Sequence, residues 1–177
     1  ELSAMTISYG HGLSASPMHL AAAYATIANN GKRVRPTLLT QKAPQDGPQV
    51  MSTAAARMSQ DLLRRVVTEG TASFARIDHY SVGGKTGTAD KPKPTGGYFK
   101  DKTITTFASM FPANDPRYVL IVTLDEAVET SGDKPRRTAG WTAVPVGAEM
   151  ITRIAPLLGL RPEIAPVNLA GITLTSN

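Results

Sequence analysis

The residues with the clearest chemical potential lie in one short stretch, residues 82–89, which read VGGKTGTA. Lys85 supplies a positive charge with three hydrogen-bond donors, and the hydroxyls of Thr86 and Thr88 can donate or accept. Gly87 has no side chain, which lets another backbone or a ligand come close to a strand. The stretch therefore predicts an open strand edge that can bind an extended peptide carrying a carboxylate.

The triplet Gly84-Lys85-Thr86 also resembles the end of a phosphate-binding loop, but its surroundings exclude that interpretation. Such a loop needs a glycine five residues before Gly84 and a helix directly after the threonine. His79 occupies the first position, and residues 90–94, DKPKP, cannot begin a helix. An ordinary glycine-containing hairpin strand stays open as an alternative, because three residues form a weak motif.

The neighbouring sequence adds a family resemblance to this stretch. Residues 85–89 resemble the third signature of penicillin-binding proteins and serine β-lactamases, the K-T-G element. Further stretches are similar, in order and spacing, to the transpeptidase domain of class B penicillin-binding proteins, especially the division-specific enzyme. They are YGHGLSASP (9–17), AYATIANNG (23–31), VTEGTA (67–72), FASMFPA (107–113) and PRYV (116–119). The resemblance predicts the C-terminal portion of that domain at residues 1–160 and a tail at 161–177.

Helices and short strands would position the K-T-G stretch. Ser16, which precedes a proline, and Ser52 are typical helix caps, and they predict helices that begin directly after them. The first is expected to stop at the sequence NNG (29–31) and the second to run from about Thr53 to Glu69. Three strands are expected at about 82–90, 103–111 and 117–125, with residues 91–102 joining the first two. Smaller elements are an edge strand within 34–38, a helical turn at 72–76 and a helix at about 141–155. The expected apolar helix faces are Leu20, Tyr24 and Ile27; Met58, Leu62 and Val66; and Val146, Met150 and Ile154.

These elements predict an α+β fold, in which a three-stranded antiparallel sheet packs against helices. The resemblance implies a fold like that of penicillin-binding proteins and serine β-lactamases, whose sheet has five strands. The two missing strands are expected to come from sequence before Glu1, so the fold of this chain would be incomplete. Three strands cannot shield a large helix-covered face, and self-association of the isolated chain is therefore expected.

Acyl transfer by a serine enzyme needs a nucleophile, a base and an oxyanion hole. The family supplies them with a Ser-x-x-Lys helix, a Ser-x-Asn loop and the K-T-G strand. The one literal Ser-x-x-Lys match, residues 131–134 (SGDK), is a loop sequence that follows the strand, and no Ser-x-Asn triplet exists. We expect both missing elements, including the nucleophile, to precede Glu1, so that the chain alone would be inactive.

The resemblance implies specific roles for the K-T-G residues. Lys85 would hydrogen-bond the serine of the missing Ser-x-Asn element. The hydroxyls of Thr86 and Thr88 would hold the carboxylate of a D-Ala-D-Ala stem peptide or of a β-lactam. The backbone N–H of Thr88 would be one oxyanion donor, and Gly87 would let the substrate approach closely. Tyr98, on the connection between strands, can line the substrate groove or pack as part of a surface loop. No cofactor is implied.

Other polar residues carry weaker signals. Asp125 and Glu126 end a strand, and we interpret them as loop anchors rather than an acid/base pair, because adjacent strand residues point to opposite faces. Trp141 departs from a glycine-rich family pattern before the last helix. The three histidines have no metal-ligand spacing, so no metal site is expected; they are His11, His19 and His79.

Composition sets the limits of this interpretation. The chain has 177 residues, 41% of them hydrophobic, which is enough for one domain with a core. It has no cysteine, which excludes disulfides and thiolate chemistry, and no 18-residue apolar run. Residues 1–5, ELSAM, have neither the basic start nor the apolar core expected of a signal peptide. The net charge of +5 is accompanied by no recognition helix or aromatic basic patch, so nucleic acid is not an expected partner.

The resulting hypothesis is part of a septal, class B peptidoglycan D,D-transpeptidase. The resemblance implies binding of peptidoglycan stem peptides and β-lactams, division proteins as partners, and a site on the periplasmic side of the bacterial inner membrane. The anchoring segment would lie outside this chain. Alternatives are a D,D-carboxypeptidase or β-lactam sensor, which share K-T-G, and a non-catalytic peptide-binding module. A Ser-x-x-Lys helix upstream in the complete gene would distinguish an enzyme from a module.

Overall fold

A computed structural model describes residues 2–7, 10, 12–43 and 47–163. The helices are α1 (Leu2–Ile7), α2 (Pro17–Ala28), α3 (Thr53–Thr68) and α4 (Ala143–Leu157), with a 3-10 turn at Ser73–Ala75. The strands are β1 (Gly83–Pro92), β2 (Tyr98–Phe111) and β3 (Tyr118–Asp125). From α2 onward this order agrees with the sequence prediction, whereas α1 was not predicted. The predicted tail lies mostly outside the described residues.

Serine caps begin α2 and α3 as predicted. Ser16 Oγ accepts a hydrogen bond from the His19 N–H at 3.2 Å, and Pro17 occupies the first helical position. Ser52 Oγ accepts from the Ala55 N–H at 3.1 Å. Each cap satisfies a backbone donor that the first turn of a helix leaves without an intrahelical partner. Both predicted helix starts are confirmed.

The three strands form one antiparallel sheet in the order β1-β2-β3. Thr86 pairs with Phe107, which in turn pairs with Val122. The predicted meander is confirmed, but its first hairpin is longer than expected, because β2 begins at Tyr98 and only residues 93–97 connect the strands. The expected 91–102 loop was wrong because Pro92 pairs with Tyr98, so that both ends of this range belong to the strands.

Phe107 is fully buried at the centre of the core, between β1 and α4. A Cβ at Gly84 of β1 would lie 2.7 Å from the Phe107 ring, and one at Gly147 of α4 would also lie 2.7 Å from it. The absence of both side chains lets the strand and the helix approach the ring closely. This contact holds the first residues of β1 in place, immediately before the K-T-G residues.

The predicted apolar faces of α3 and α4 were wrong at two of their three positions each, whereas Val66 and Ile154 pack against the core as expected. Met58 and Leu62 are 66% and 62% exposed, and Val146 and Met150 are 40% and 39% exposed. The buried residues are instead Ala56 and Val67 in α3, and Ala143, Val144, Gly147, Ile151 and Ala155 in α4. The buried face of each helix combines small residues with branched aliphatic ones, and Val67, Val144 and Ile151 are among the largest fully buried side chains.

Residues 34–38 form no strand, contrary to the prediction. Their neighbourhood contains one isolated bridge, between Lys32 and Gln49, and Leu38 is 99% exposed. Pro36 cannot donate to a strand ladder, which explains why the alternating pattern produces no pairing here.

Candidate functional site

β1 presents the K-T-G residues along one edge of the sheet. In the described part of the chain this strand pairs with β2 alone, with Lys85 opposite Ala108 and Thr88 opposite Thr105. Lys85, Gly87 and Thr88 are exposed and Thr86 is half-buried. An edge strand carries unpaired backbone donors and acceptors along its outer side. The predicted open edge is therefore present, with its polar side chains accessible to a ligand.

Lys85 extends along its own strand. Its Nζ donates to the Thr86 carbonyl oxygen at 2.9 Å and lies 3.4 Å from Thr86 Oγ1. The ammonium group therefore lies beside the threonine hydroxyl and places positive charge at the site. An ammonium has three donors, so these contacts leave capacity for a further acceptor.

The two threonine hydroxyls bind two different segments of the chain. Thr86 Oγ1 and Thr71 Oγ1 are 2.9 Å apart and share a hydrogen bond. Thr88 Oγ1 accepts the backbone N–H of Ala139 at 3.0 Å. Hydroxyls both donate and accept, so Thr88 keeps its proton available for another acceptor. The strand is thus attached to the turn that follows α3 and to the segment that precedes α4.

These two segments also contact each other. A Cβ at Gly140 would lie 2.8 Å from the carbonyl oxygen of Thr71, so this close approach depends on glycine. The buried Thr142 Oγ1 donates to Thr105 Oγ1 at 3.0 Å, which attaches the second segment to β2 as well. The result is a preformed groove between the β1 edge and the opposite segments.

The groove has a volume of about 440 Å³ and is open to solvent. Threonines on β1 form one side, and the aromatic rings of Phe74 and Trp141 lie on the other. Its lining residues are Thr71, Ser73, Phe74, Thr86, Thr88, Thr138, Ala139, Gly140 and Trp141. Convergent hydroxyls beside apolar rings are typical of a site that orients a small ligand.

Tyr98 does not join these residues. It pairs with Pro92 at the start of β2, seven residues before Thr105, the partner of Thr88. At about 3.3 Å per strand residue, this places it roughly 23 Å along the sheet from Thr88. Tyr98 is 54% exposed, and the structure separates it from the groove formed by β1.

Two other sequence interpretations can be compared with the structure. The segment 131–134 is irregular and exposed, and the Ser131 N–H donates to Glu129 Oε1 at 2.5 Å, so its loop character is confirmed. Asp125 and Glu126 act as anchors, since Lys91 Nζ lies 2.6 Å from Asp125 Oδ2 and 2.7 Å from Glu126 Oε1.

Sequence reasoning missed most of the wall opposite β1. Thr71 appears in the VTEGTA stretch and Trp141 stands out as a departure from the family pattern, but neither position indicated a contact with β1. Phe74 gave no signal. Among the described residues, no helix is long and apolar enough to cross a membrane. The same residues contain no cluster of three metal-ligating side chains.

The sheet, its covering helices and the K-T-G edge strand define a penicillin-binding type of fold. The family model of the penicillin binding protein transpeptidase domain matches residues 1–141, and the chain belongs to this family. The resemblance found in the sequence and the predicted α+β fold class are both confirmed.

Known proteins with similar sequences span a longer chain than this one. A Caulobacter vibrioides protein named probable peptidoglycan D,D-transpeptidase FtsI is 32% identical over 174 residues, which cover 92% of this chain and 29% of that protein. Stage V sporulation protein D of Bacillus subtilis is 30% identical over 170 residues, covering 89% of this chain and 25% of that protein.

Solved structures similar to this chain are also penicillin-binding proteins. The apo transpeptidase domain of Burkholderia pseudomallei penicillin-binding protein 3 has a TM-score of 0.79 and 34% identity, covering 93% of this chain and 49% of that domain. Penicillin-binding protein 3 of Mycobacterium tuberculosis, complexed with ampicillin, has a TM-score of 0.72 and 29% identity, covering 89% of this chain and 38% of that one. This chain therefore spans less than half of each of these relatives.

Proposed function

We propose that this chain is the C-terminal part of the transpeptidase domain of a septal class B penicillin-binding protein. The complete enzyme would cross-link peptidoglycan stem peptides that end in D-Ala-D-Ala, and β-lactams would acylate it. The observation that carries the proposal is the open β1 edge, where Thr86 and Thr88 line a preformed groove and the Lys85 ammonium lies beside Thr86. The septal assignment is supported by relatives named FtsI.

The proposed reaction is acyl transfer through a serine that lies outside this chain. Its oxygen attacks the carbonyl carbon of the penultimate D-Ala, forming an ester and releasing the terminal D-Ala. An amine of a second stem peptide then takes the acyl group and releases the serine. Lys85 would hydrogen-bond the Ser-x-Asn serine, and the Thr88 N–H would be one of two donors to the oxyanion.

Thr86 and Thr88 would hold the terminal carboxylate of the peptide. Thr88 Oγ1 accepts from the Ala139 N–H, so its proton can point to an acceptor in the groove. Thr86 Oγ1 lies beside the Lys85 ammonium, whose charge favours an anion at this position. Hydrogen bonds to a charged acceptor are stronger than those between neutral groups, which suits a site that recognises a free C-terminus.

Gly87 supports the close approach of a substrate to β1. A Cβ at this position would meet its nearest neighbour, Thr106 Cβ, at 4.0 Å, and packing within the chain therefore does not require glycine. At Gly84, by contrast, a Cβ would lie 2.6 Å from the Ala108 carbonyl oxygen. A glycine that the fold does not need, on the outer edge of a strand, is consistent with contact to a bound molecule.

The proposal also places the site in the cell. The complete protein would act on the periplasmic side of the bacterial inner membrane, anchored by a segment outside this chain, and would assemble with division proteins. Its substrate is a cell-wall polymer, which supports this location.

Labelling with a fluorescent penicillin tests the proposal. The complete protein should give a covalent band on a denaturing gel, and an excess of unlabelled penicillin should abolish it. The 177-residue chain should give no band, because the proposed nucleophile lies elsewhere. An unlabelled complete protein would contradict the proposed function, and a labelled chain would contradict the proposed position of the nucleophile.

A further inference from the structure

The groove contains two large aromatic side chains that the fold leaves partly exposed. Phe74 is 50% exposed and Trp141 is 39% exposed. Their ring centroids are 5.0 Å apart with an interplanar angle of 60°, a tilted contact that aromatic pairs favour. Both rings line the groove together with Thr86 and Thr88. Adjacent exposed aromatic rings inside a concave site are typical of a surface that binds apolar groups.

The chain holds both rings at a fixed distance from β1. Phe74 lies three residues after Thr71, whose hydroxyl is hydrogen-bonded to that of Thr86. Trp141 lies two residues after Ala139, whose N–H donates to Thr88 Oγ1. The same threonine hydroxyls that would bind a carboxylate therefore also position the aromatic residues on the opposite side.

Arg136 fixes the orientation of the indole ring. The guanidinium carbon lies 3.8 Å from the centroid of the Trp141 ring, a distance at which a cation interacts favourably with an aromatic face. Arg136 is itself held by two backbone hydrogen bonds to Glu129, of 2.8 and 2.9 Å. With one face covered by the guanidinium, the indole is preorganised before any ligand enters.

We propose that Phe74 and Trp141 form an apolar subsite that receives the side chain of the C-terminal residue of the bound peptide. The inference rests on the proposed function, in which Thr86 and Thr88 hold the carboxylate of that residue. The carboxylate and the side chain share one Cα atom, so a ligand bound through its carboxylate presents its terminal side chain inside the same groove. A methyl or larger apolar group at this position loses contact with water against the two rings.

Competition between peptides and fluorescent penicillin on the complete protein tests the subsite. The competitors are acetyl-D-Ala-Gly, acetyl-D-Ala-D-Ala and acetyl-D-Ala-D-Leu, which have the same carboxylate and differ in the terminal side chain. Burying one methyl group is worth about fourfold in affinity. We expect acetyl-D-Ala-D-Ala to protect at about one quarter of the concentration that acetyl-D-Ala-Gly needs, and acetyl-D-Ala-D-Leu at a lower concentration still.

Substitutions of Phe74 test whether the preference for a larger terminal side chain arises from the proposed subsite. Phe74→Ala should bring the three protecting concentrations close together, whereas Phe74→Tyr keeps the ring and should retain the wild-type order. Leu38→Ala is the matched control, because Leu38 is exposed and does not line the groove. Unchanged melting temperatures exclude a folding effect.

The outcomes separate the two proposals. A complete protein that penicillin does not label contradicts the proposed function itself. A labelled protein that shows no preference among the three peptides, or that keeps its preference in Phe74→Ala, overturns the apolar subsite and leaves the proposed function intact.

Discussion

The hydroxyls of Thr86 and Thr88 have structural partners in addition to their proposed ligand. Thr86 is bound to Thr71 and Thr88 to the backbone of Ala139. A valine at position 88 would therefore lose an anchor of the segment before α4 as well as a proposed donor to the substrate. The structural and binding roles of these hydroxyls cannot be separated by deleting the side chain.

The K-T-G residues were predictable because they are contiguous, and a short stretch displays their types and spacing directly. Thr71 and Ala139 are 15 and 51 residues distant from their threonine partners. Such contacts form when the fold brings separate segments together, and they cannot be predicted from a local sequence pattern. The predicted half of the site is therefore the strand, and the half that was missed is the wall opposite it.

Lys85→Ala should reduce the rate of β-lactam acylation of the complete protein and leave its stability unchanged. The side chain is exposed and its contacts are to Thr86 on its own strand, so the core does not depend on it. Losing one preorganised donor at a site of developing charge typically costs about 10²–10³ in rate, or roughly 3–4 kcal/mol.

The measurement is the second-order acylation rate constant together with the melting temperature. Lys100→Ala is a matched control, because Lys100 is an exposed lysine on the same hairpin. If Lys85→Ala is acylated within a few-fold of the wild-type rate at unchanged stability, Lys85 does not belong to the site.

Two glycines of β1 should respond to alanine in opposite ways. In Gly84→Ala the new Cβ would lie 2.6 Å from a backbone oxygen and 2.7 Å from Phe107, and overpacking of this kind costs about 1–3 kcal/mol. Gly87→Ala meets no atom closer than 4.0 Å and should not destabilise the fold. Its acylation should nevertheless fall, because the methyl group occupies the outer strand edge. Melting curves and acylation rates of both variants check this, and equal destabilisation would contradict the assignment of Gly87 to ligand contact.

At the scale of elements, the helix caps were predictable and the buried faces were not. Ser16 and Ser52 start their helices through local hydrogen bonds that the sequence displays. The side of α4 that faces the sheet is set by Gly147 against Phe107, a contact between distant elements. Counting large apolar residues therefore selected two exposed positions in each helix, Met58 and Leu62 in α3 and Val146 and Met150 in α4.

The β1–β2 hairpin is attached to the end of β3 by ion pairs, which should make its stability depend on pH. Glu126 lies 2.7 Å from Lys91 and 2.9 Å from Lys102. Hydrogen bonds from these lysines lower the pKa of Glu126 below its ordinary 4.5. Hydrogen bonds to Asp125 and Glu126 raise the pKa of Lys91 above its ordinary 10.5.

The signs of these shifts define the range in which the ion pairs act. A lowered carboxylate pKa stabilises the fold above about pH 4.5, and this contribution disappears as the pH falls through the folded-state value. A raised lysine pKa gives a contribution that disappears only as the pH rises through the folded-state value above 10.5.

Glu126→Gln should therefore melt at a lower temperature than the wild-type chain at pH 7 and at the same temperature in strong acid. Melting curves from pH 7 to pH 2 at low salt provide the test, since salt screens exposed pairs. Glu149→Gln is the control, because it breaks an exposed ion pair within α4 that joins no two elements. Its melting temperature should stay close to that of the wild-type chain across the same pH range. A difference that persists unchanged into acid would contradict the ionic origin.

At the scale of the whole molecule, the described chain leaves apolar surface uncovered. β3 ends the sheet on the side opposite β1. Met58 and Leu62 lie one turn apart on an exposed face of α3, and Met18 on α2 is 56% exposed. The family resemblance implies a five-stranded sheet, and this chain spans 49% of a related transpeptidase domain. The sequence did not reveal the uncovered helix face, because it shows which residues are apolar but not which remain without a neighbour.

The isolated 177-residue chain should consequently associate with itself. An unpaired strand edge and exposed apolar side chains both favour contact between copies, since each removes unpaired backbone groups or apolar surface from water. Sedimentation velocity over a hundredfold range of concentration should show a rising average mass. The double substitution Met58→Lys and Leu62→Lys should reduce this association by placing charges on the α3 face, whereas Leu157→Lys, on an exposed position of α4, should not. A chain that sediments as a monomer at every concentration would contradict the prediction, and association that survives the double substitution would point to the strand edges of β1 and β3 instead.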